Sequence, residues 1–384
     1  MRRKAMLTGT AVAAALSCMV GLSVMAAKNP ADVDLPAGKV KIANAGALAF
    51  GPPGILFIGD SMGGSVIALD TGDTKAARGT VKINVEKLDE KIAAMVGIAA
   101  DQLVINDVIV NPVSKNVYVS AARGRGPDAA PLLAKVDSAG KITPVSFDNA
   151  KHISVSLTDA VDESVMIGDG KGGKVPARMQ TITSLAYVDG NVMVAGLSNE
   201  EWSSALRSVP YPFKNTQTST LQIWHSSHGR YETESPVRSF VPYTIGGKAY
   251  VLAAYTCTPL VKIPVSELKP GAKVKGVEIA DLGVRNIPLD MVPYKKDGKE
   301  YILIANTLLG VVKLKADKLE TYPAIEEPTK TDVAGVPYDS MKELTDVQHL
   351  AKIDDGHVLL VKGQRGPAAG QAVGPITLAT IDLP

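Results

Sequence analysis

The segment LDMVPYKKDGKEYILIANTLLGVVKLK, residues 289–315, contains the pattern that decides the fold. It predicts a short apolar strand at 290–294, a turn at Lys296-Asp297-Gly298, a more continuously apolar strand at 301–305 and a third strand at 310–314. Asp and Gly tolerate the positive φ angles that tight hairpin turns require. The segment therefore predicts a three-stranded antiparallel unit.

The same order of strand, turn, strand, loop and strand occurs six times along the chain, which indicates a repeat architecture. The second strands are continuously apolar, as expected of strands that are buried on both faces. First strands are predicted at 47–50, 107–110, 183–187, 239–243, 290–294 and 350–353. Third strands are predicted at 65–69, 132–136, 220–224, 260–263, 310–314 and 376–381, and weaker fourth strands at 81–85, 153–157 and 274–279.

Four-stranded antiparallel units repeated in this way are typical of a β-propeller, in which no blade can bury both of its faces alone. We predict an all-β fold with six four-stranded blades. Seven blades are the alternative, because residues 148–181 are long enough to contain one more. Two β-sandwich domains would also give many short strands, but they do not explain the recurring order. Residues 39–43 are expected to supply the strand that closes the ring with the last blade.

One segment has a helical period. Leu88, Ile92 and Met95 or Val96 fall on one side, with charged residues on the other. The pattern predicts a short surface helix inserted between the first two blades. It covers its own domain in the simplest interpretation, and docking of a partner is the alternative.

The N-terminus has the features of an export signal. Arg2, Arg3 and Lys4 precede an apolar stretch at 11–25, which ends at the small-residue cleavage pattern Val24-Met25-Ala26. We expect a signal peptide at 1–26, a linker at 27–38 and a single propeller domain at 39–384, located in the periplasm or secreted. A retained membrane anchor is the lesser alternative.

Removal of that signal changes the charge balance. The chain has 41 basic and 39 acidic residues, and the signal carries three of the basic ones, so 38 and 39 remain. Without a basic run or stripe, nucleic-acid binding is not expected. Only Cys257 follows the signal, so an intramolecular disulfide is excluded.

The predicted loops are longest on one face of the propeller. Loops between second and third strands are long at 123–128, 198–213 and 364–375, and the starts of the first strands lie on the same face. Such loops commonly carry binding residues. The candidate ligand-binding residues are Asn106, Asp107, Arg178, Arg238, Arg285, Asn286, Asp290 and His349 at strand starts, and Arg123 and Arg365 in the loops, with Gln180 and Gln348 as further polar groups.

Carboxylates, amides and arginines together suit a polar anionic ligand or a metal ion. The alternative is the ordinary polar lining of a water-filled channel. One further motif receives a weaker interpretation. Gly59-Asp60-Ser61-Met62-Gly63 matches the Gly-x-Ser-x-Gly pattern of a nucleophile elbow, but a β-rich segment follows it where the elbow needs a helix.

Metal-ligand motifs are few in the sequence. Only His225 and His228 have ligand-like spacing, and we interpret them as two exposed turn residues, with a shared metal ion as the alternative. Cys257 is expected to be a buried, unreactive thiol. No metal ligand is assigned on this basis.

With the repeats at 253–262 and 289–294, the chain resembles exported bacterial β-propellers of the broad NHL/YVTN-like type, over residues 39–384. That resemblance, like the related WD-type repeat, implies an architecture that serves binding scaffolds, lactonases, lyases and dehydrogenase subunits. Calcium-dependent gluconolactonase-like propellers use Glu, Asn and Asp at the channel mouth. Asn106, Asp107, Asn286 and Asp290 match part of that set, and no corresponding Glu is evident.

The leading hypothesis is a non-catalytic exported binding module or scaffold that holds a partner protein or a small polar ligand on its long-loop face, without a cofactor. The alternative is a calcium-dependent hydrolase or lactonase at the channel mouth. A structural subunit of a periplasmic redox complex is a third possibility.

Overall fold

A computed structural model describes residues 33–125, 129–168, 173–283, 286–329, 333–368 and 370–384. In chain order the strands begin with β1 Ala37–Gly38, β2 Leu48–Phe50, β3 Ile55–Asp60, β4 Ser65–Asp70, β5 Leu103–Val110, β6 Val117–Arg123, β7 Ala130–Val136, β8 Ile142–Pro144, β9 Ala150–Ser156, β10 Met166–Gly168 and β11 Lys174–Pro176. They continue with β12 Ser184–Val188, β13 Asn191–Leu197, β14 Ser204–Pro210, β15 Gln217–His225, β16 Arg230–Glu232, β17 Val237–Ile245, β18 Lys248–Tyr255, β19 Pro259–Pro264 and β20 Lys273–Asp281. The last are β21 Pro288–Lys296, β22 Lys299–Asn306, β23 Gly310–Lys315, β24 Ala334–Gly335, β25 Tyr338–Met341, β26 Val347–Lys352, β27 His357–Arg365 and β28 Ala372–Asp382.

Six antiparallel units form the described part of the chain, and each begins with three strands in sequence order. Units 1 to 6 start with β2–β3–β4, β5–β6–β7, β12–β13–β14, β17–β18–β19, β21–β22–β23 and β26–β27–β28. The middle strands are the most buried, as their continuous apolar runs predict: β3 is buried at all six residues and β13 at six of seven. We take each unit as one blade.

The units close into a ring, but not in chain order. The first strands contact one another in the cycle β2, β12, β17, β21, β26, β5 and back to β2. Each of six apolar clusters packs between the same neighbours, so that unit 2 lies between units 6 and 1. The all-β, propeller-type fold that the sequence predicts is confirmed.

Exchange of outer strands produces this order. β9 follows unit 2 along the chain but pairs with β4 of unit 1, and β1 pairs with β9. Residues 81–85 follow unit 1 but pair with β28 of unit 6, where Val85 and Leu378 exchange two backbone hydrogen bonds of 2.9 Å. The outer strands of the other units are β8, β15, β20 and β25. Unit 1 is therefore completed only after the chain has built unit 2.

Several strand predictions need correction. Residues 81–85, not 39–43, close the last unit, and Val40 instead donates to Phe147 O at 2.8 Å. Residues 220–224 belong to the fourth strand of unit 3, because β14 takes the third position within the predicted loop 198–213. The described residues of 148–181 include β9, which pairs with β4, and the two antiparallel strands β10 and β11, which pair with each other. The predicted fourth strand at 153–157 overlaps β9 but completes unit 1.

The predicted helix is present as α1, Leu88–Val96. Leu88 and Ile92 are buried between units 2 and 6, so this face of the helix covers its own domain. Gly97 ends the helix in the left-handed region at φ 71°, where glycine has no steric penalty. Within the described ranges, no helix has the length and apolar character needed to cross a membrane.

Candidate functional site

A β-bulge occurs at the same position of four first strands. The pairing shifts between Ile105 and Asp107 in β5, between Val237 and Ser239 in β17, between Pro288 and Asp290 in β21, and between Val347 and His349 in β26. A bulge bends its strand and redirects the side chains beside it. The four bulges therefore bring polar residues of neighbouring units to one level of the ring.

The six first strands surround a central cavity of about 1160 Å³. Its lining includes Asn106, Asp107, Arg238, Asp290, His349, Arg365 and Gln371, as well as the apolar residues Phe50, Val110, Tyr187, Val241 and Val292. Met166 and Lys174 of the β10–β11 hairpin also contribute to the lining. The channel thus offers charged groups together with apolar walls, a combination typical of small-molecule sites.

Asp107 and Asp290 occupy equivalent positions in units 2 and 5. Asp107 accepts backbone hydrogen bonds from Val108 at 2.7 Å and, across the unit boundary, from Leu48 at 2.7 Å. Asp290 does the same with Met291 at 2.8 Å and Leu350 at 3.0 Å. These bonds fix both carboxylates, yet each side chain keeps 22% of its surface exposed to the channel.

The imidazole of His349 lies between the two carboxylates. Its Nδ1 is 3.6 Å from Asp107 Oδ1 and 4.0 Å from Asp290 Oδ2. The side chain is only 2% exposed, and in the part of the chain that the structure describes its Nε2 has no hydrogen-bond partner. The ligand atoms of the three residues lie within 4.8 Å of one another, close enough to bind one cation.

Burial determines the ionisation of this group. Burial, followed by the charge of Asp290, raises the pKa of Asp107 to about 7. Burial also raises the pKa of Asp290 to about 6. The pKa of His349 is lowered to about 3 by burial and by the nearby Arg238 cation. At neutral pH the imidazole is therefore neutral, and the Asp107 carboxyl is close to its titration midpoint.

Arg238 enters the same cavity from the bulge of β17. Among the described residues its buried Nε has no hydrogen-bond partner. Burial lowers the pKa of Arg238, and the negative charges of Asp107 and Asp290 oppose that shift. Gly370 makes room for the guanidinium: a Cβ at that position would overlap Nη2 of Arg238, and its φ of 77° also favours glycine. Arg365 adds a further, exposed cation to the cavity lining.

Asn106 is held in place at the cavity wall. Its Nδ2 donates to Ala45 O at 2.8 Å, and its Oδ1 accepts from Gln371 Nε2 at 2.9 Å. Of the polar residues that the sequence singles out, the structure brings these together at one cavity: Asn106, Asp107, Gln180, Arg238, Asp290, His349 and Arg365. The sequence analysis missed Gln371 and Gly370, which a loop sequence without strand periodicity does not reveal.

Other candidates lie away from the cavity lining. Arg178 donates to Met62 O at 2.8 Å and to Val161 O at 2.6 Å, so it holds a loop. Asn286 is buried, donates to Leu282 O and accepts from Leu309 N. Arg123 is exposed at the end of β6, and Gln348 donates to Gly363 O. Arg285 lies outside the described residues.

Ser61 occupies a hairpin turn between β3 and β4. Its Oγ donates to Ile182 O at 2.8 Å, and a strand follows the turn. Asp60 accepts backbone hydrogen bonds from Ala43, Asn44 and Gly63. The Gly-x-Ser-x-Gly pattern therefore lacks the strand-to-helix geometry of a nucleophile elbow, as its sequence context predicts.

His225 differs from its prediction as an exposed turn residue: it is fully buried at the end of β15. His228 lies in the following turn and is 46% exposed. Glu232, which the sequence analysis did not select, contacts both imidazoles. Its position four residues after His228 is the sequence feature that could have indicated this contact.

No family model matches the chain, and no curated protein matches it. Among solved structures, it is similar to the major allergen Mala s 1 of Malassezia sympodialis, with 13% identity over 91% of this chain and 96% of the other, and a TM-score of 0.37. It is similar to the C-terminal WD40 domain of Sif2, with 9% identity over 92% and 99% and a TM-score of 0.37. The PQQ-bound aldose sugar dehydrogenase of Streptomyces coelicolor gives 10% identity over 91% and 98% and a TM-score of 0.30. Similarity at this level carries no information about activity.

Proposed function

We propose that this protein is an exported β-propeller that binds a small organic acid in its central channel, with Arg238 as the main anion-binding group. The single observation that carries the proposal is one unpaired donor of a cavity arginine: Arg238 lines the cavity, and its buried Nε has no partner among the described residues. A buried cationic donor without a partner is unfavourable. A carboxylate ligand would satisfy it.

The chemistry of arginine favours this ligand class. A guanidinium stays ionised in proteins and binds a carboxylate through two parallel hydrogen bonds. Arg365 supplies a further cation on the same cavity. The apolar walls formed by Phe50, Tyr187 and Val292 suit the hydrocarbon part of an organic acid better than an inorganic ion.

Calorimetric titration with benzoate, succinate and inorganic phosphate tests the proposal. We expect at least one of the two carboxylates to bind, and Arg238→Ala to weaken that binding at least tenfold, because it removes the charge-assisted donors. Gly370→Ala should weaken binding as well, since its methyl group would displace the guanidinium. Arg123→Ala removes an arginine outside the cavity and should leave the affinity unchanged.

Three results would contradict this proposal. One is that neither carboxylate binds the wild-type protein, and another is that Arg238→Ala binds as tightly as the wild type. Binding of phosphate alone would indicate an inorganic-anion site rather than an organic-acid site. Circular dichroism of each variant establishes that the β-rich fold is retained.

A second candidate is a metal-dependent hydrolase or lactonase. It is favoured by the Asp107, Asp290 and His349 ligand atoms, which lie within 4.8 Å of one another. Two carboxylates suit calcium, which prefers oxygen ligands. The described cavity lining contains no glutamate, so the Glu, Asn and Asp set of calcium-dependent propeller lactonases is incomplete here. We therefore favour binding over catalysis.

Export and partner binding remain proposals of the same kind. The export signal at 1–26 supports a periplasmic or secreted protein. The loops around the channel mouth would also be the surface for a protein partner, as in other rigid scaffolds with their binding loops on one side.

A further inference from the structure

A second cluster of ligand-type side chains lies at the boundary of units 3 and 4, and the proposed function does not use it. His225 ends β15, His228 lies in the next turn, and Cys257 lies in the turn between β18 and β19. Their ligand atoms lie within 4.8 Å of one another. His225 is fully buried, whereas His228 and Cys257 reach the surface.

Glu232 orients both imidazoles. His225 Nδ1 lies 3.1 Å from Glu232 Oε2, and His228 Nδ1 lies 2.6 Å from Oε1. Ser235 Oγ donates to Oε2 at 3.0 Å, and Arg230 Nη2 lies 3.1 Å from Oε1. Glu232 is therefore surrounded by donors, although its side chain is only 1% exposed.

The carboxylate sets the tautomer of both histidines. An ionised carboxylate only accepts hydrogen bonds, so each Nδ1 carries a proton, and in the neutral imidazole Nε2 is then the atom that can bind a metal ion. His225 Nε2 lies 3.2 Å from Thr258 Oγ1, a contact that a metal ion would replace. A carboxylate that receives the Nδ1 proton of a histidine is the usual support for a metal-binding imidazole. In this cluster one carboxylate supports two imidazoles.

The two Nε2 atoms and the thiol converge. His228 Nε2 lies 3.9 Å from Cys257 Sγ, and the two imidazole centroids are 3.9 Å apart with the rings tilted by 47°. Nitrogen and sulfur ligands of one tetrahedral zinc ion lie roughly 3.5 Å apart, given its bond lengths. A small contraction of exposed turns would bring the three atoms to that spacing.

We propose that His225 Nε2, His228 Nε2 and Cys257 Sγ bind one transition-metal ion of the zinc type, with Glu232 as the positioning residue. Two imidazoles and a thiolate select such an ion over calcium and magnesium, which prefer oxygen ligands. The ion would join unit 3 to the β18–β19 turn of unit 4. Thr256, the neighbour of Cys257, lines the central cavity, so this metal site lies next to the channel.

Cobalt provides the spectroscopic test. The full processed chain is reduced, treated with a chelator, desalted and titrated with Co²⁺, and Zn²⁺ is then added in competition. We expect one Co²⁺ per chain, the near-ultraviolet charge-transfer absorption of a cobalt–thiolate bond, and the visible bands of a tetrahedral ion. Zn²⁺ should displace the cobalt and remove both signals.

Variants assign the ligands. Cys257→Ser should abolish the charge-transfer absorption, and His228→Ala should weaken Co²⁺ binding at least tenfold. Glu232→Gln should keep the charge-transfer absorption but weaken binding by about 10- to 100-fold, the usual effect of losing an orienting carboxylate. His152→Ala is the control, because its ring contacts Ala150 O outside the cluster.

Absence of the charge-transfer absorption in the wild type would overturn the proposal, and so would its persistence in Cys257→Ser. The two main variants change residues in surface turns, so they should fold, and circular dichroism verifies this. Because the readout is metal binding, failure of this proposal leaves organic-acid binding at Arg238 unaffected.

Discussion

Asp107 and Asp290 place two titrating carboxyls beside Arg238, so ligand binding in the channel should depend on pH. Their pKa values are raised to about 7 and about 6, whereas the pKa of His349 is lowered to about 3, so His349 stays neutral over this range. As the pH rises through this range, both aspartates gain negative charge and repel an anion. We expect benzoate, ionised throughout, to bind roughly tenfold more weakly at pH 8 than at pH 5.5, as measured by calorimetry.

The pH dependence of calcium binding should be opposite to that of benzoate, because a cation displaces protons from Asp107 and Asp290. Calcium should bind more tightly as the pH rises. A calcium affinity that rises between pH 5.5 and pH 8, combined with no binding of carboxylates, would favour the hydrolase. Asp107→Asn is the matched variant, since it keeps the shape but cannot ionise. In that variant the pH dependence of benzoate binding should be reduced.

At the scale of single residues, the sequence identifies the polar groups but not which of them lie close to one another in the fold. Asp107, Asp290 and His349 begin predicted first strands, and the repeat alone places them on one face. Arg178 and Asn286 satisfy the same criterion, yet they bond to backbone carbonyl groups of neighbouring loops. The difference depends on which loop lies within reach of the side chain, and that is a property of tertiary packing.

Among the elements, α1 makes one contact that can be tested cleanly. Buried Asp89 accepts the backbone N–H of Ile376 at 2.9 Å. Asp89→Ala leaves that buried donor without a partner, so we expect the free energy of unfolding to fall by about 1–3 kcal/mol, measured by urea denaturation. Glu90→Ala is the control: it also lies in the first turn, but it pairs with Lys87 at the surface and should change stability by less than about 0.5 kcal/mol. Equal losses in the two variants would contradict this account.

Physical reasons explain why the sequence pattern did not predict strand β14 or the partner of residues 81–85. β14 was predicted as a loop because it contains Arg207, whose fully buried guanidinium bonds to Asp159 at 2.8 Å. A buried ion pair in a strand breaks the apolar pattern on which the prediction depends. Residues 81–85 were recognised as a strand, but their partner, β28, lies almost 300 positions further along the chain. Hydrophobic periodicity predicts where a strand lies in the sequence, whereas the closure of the ring determines which strand it pairs with.

At the scale of the whole molecule, units 1, 2 and 6 are linked because units 1 and 6 take their outer strands from distant parts of the chain. Unit 1 needs β9 from beyond unit 2, and unit 6 needs residues 81–85 from beyond unit 1. The N-terminal part is therefore inserted into the ring, with apolar clusters against units 2 and 3. We therefore expect the N-terminal part and the remainder to fold together.

Cutting the chain between Arg78 and Gly79 tests this topology. Both residues are exposed in the connection between β4 and residues 81–85, so a specific protease site inserted there should be accessible. We expect the two fragments to elute as one species in native buffer, because β4–β9 pairing and the flanking apolar clusters still hold them, and to separate only in denaturant. The uncut inserted protein is the control for size and stability. Fragments that separate in native buffer would show that the two parts fold independently, and the closed ring with its central channel would then be wrong.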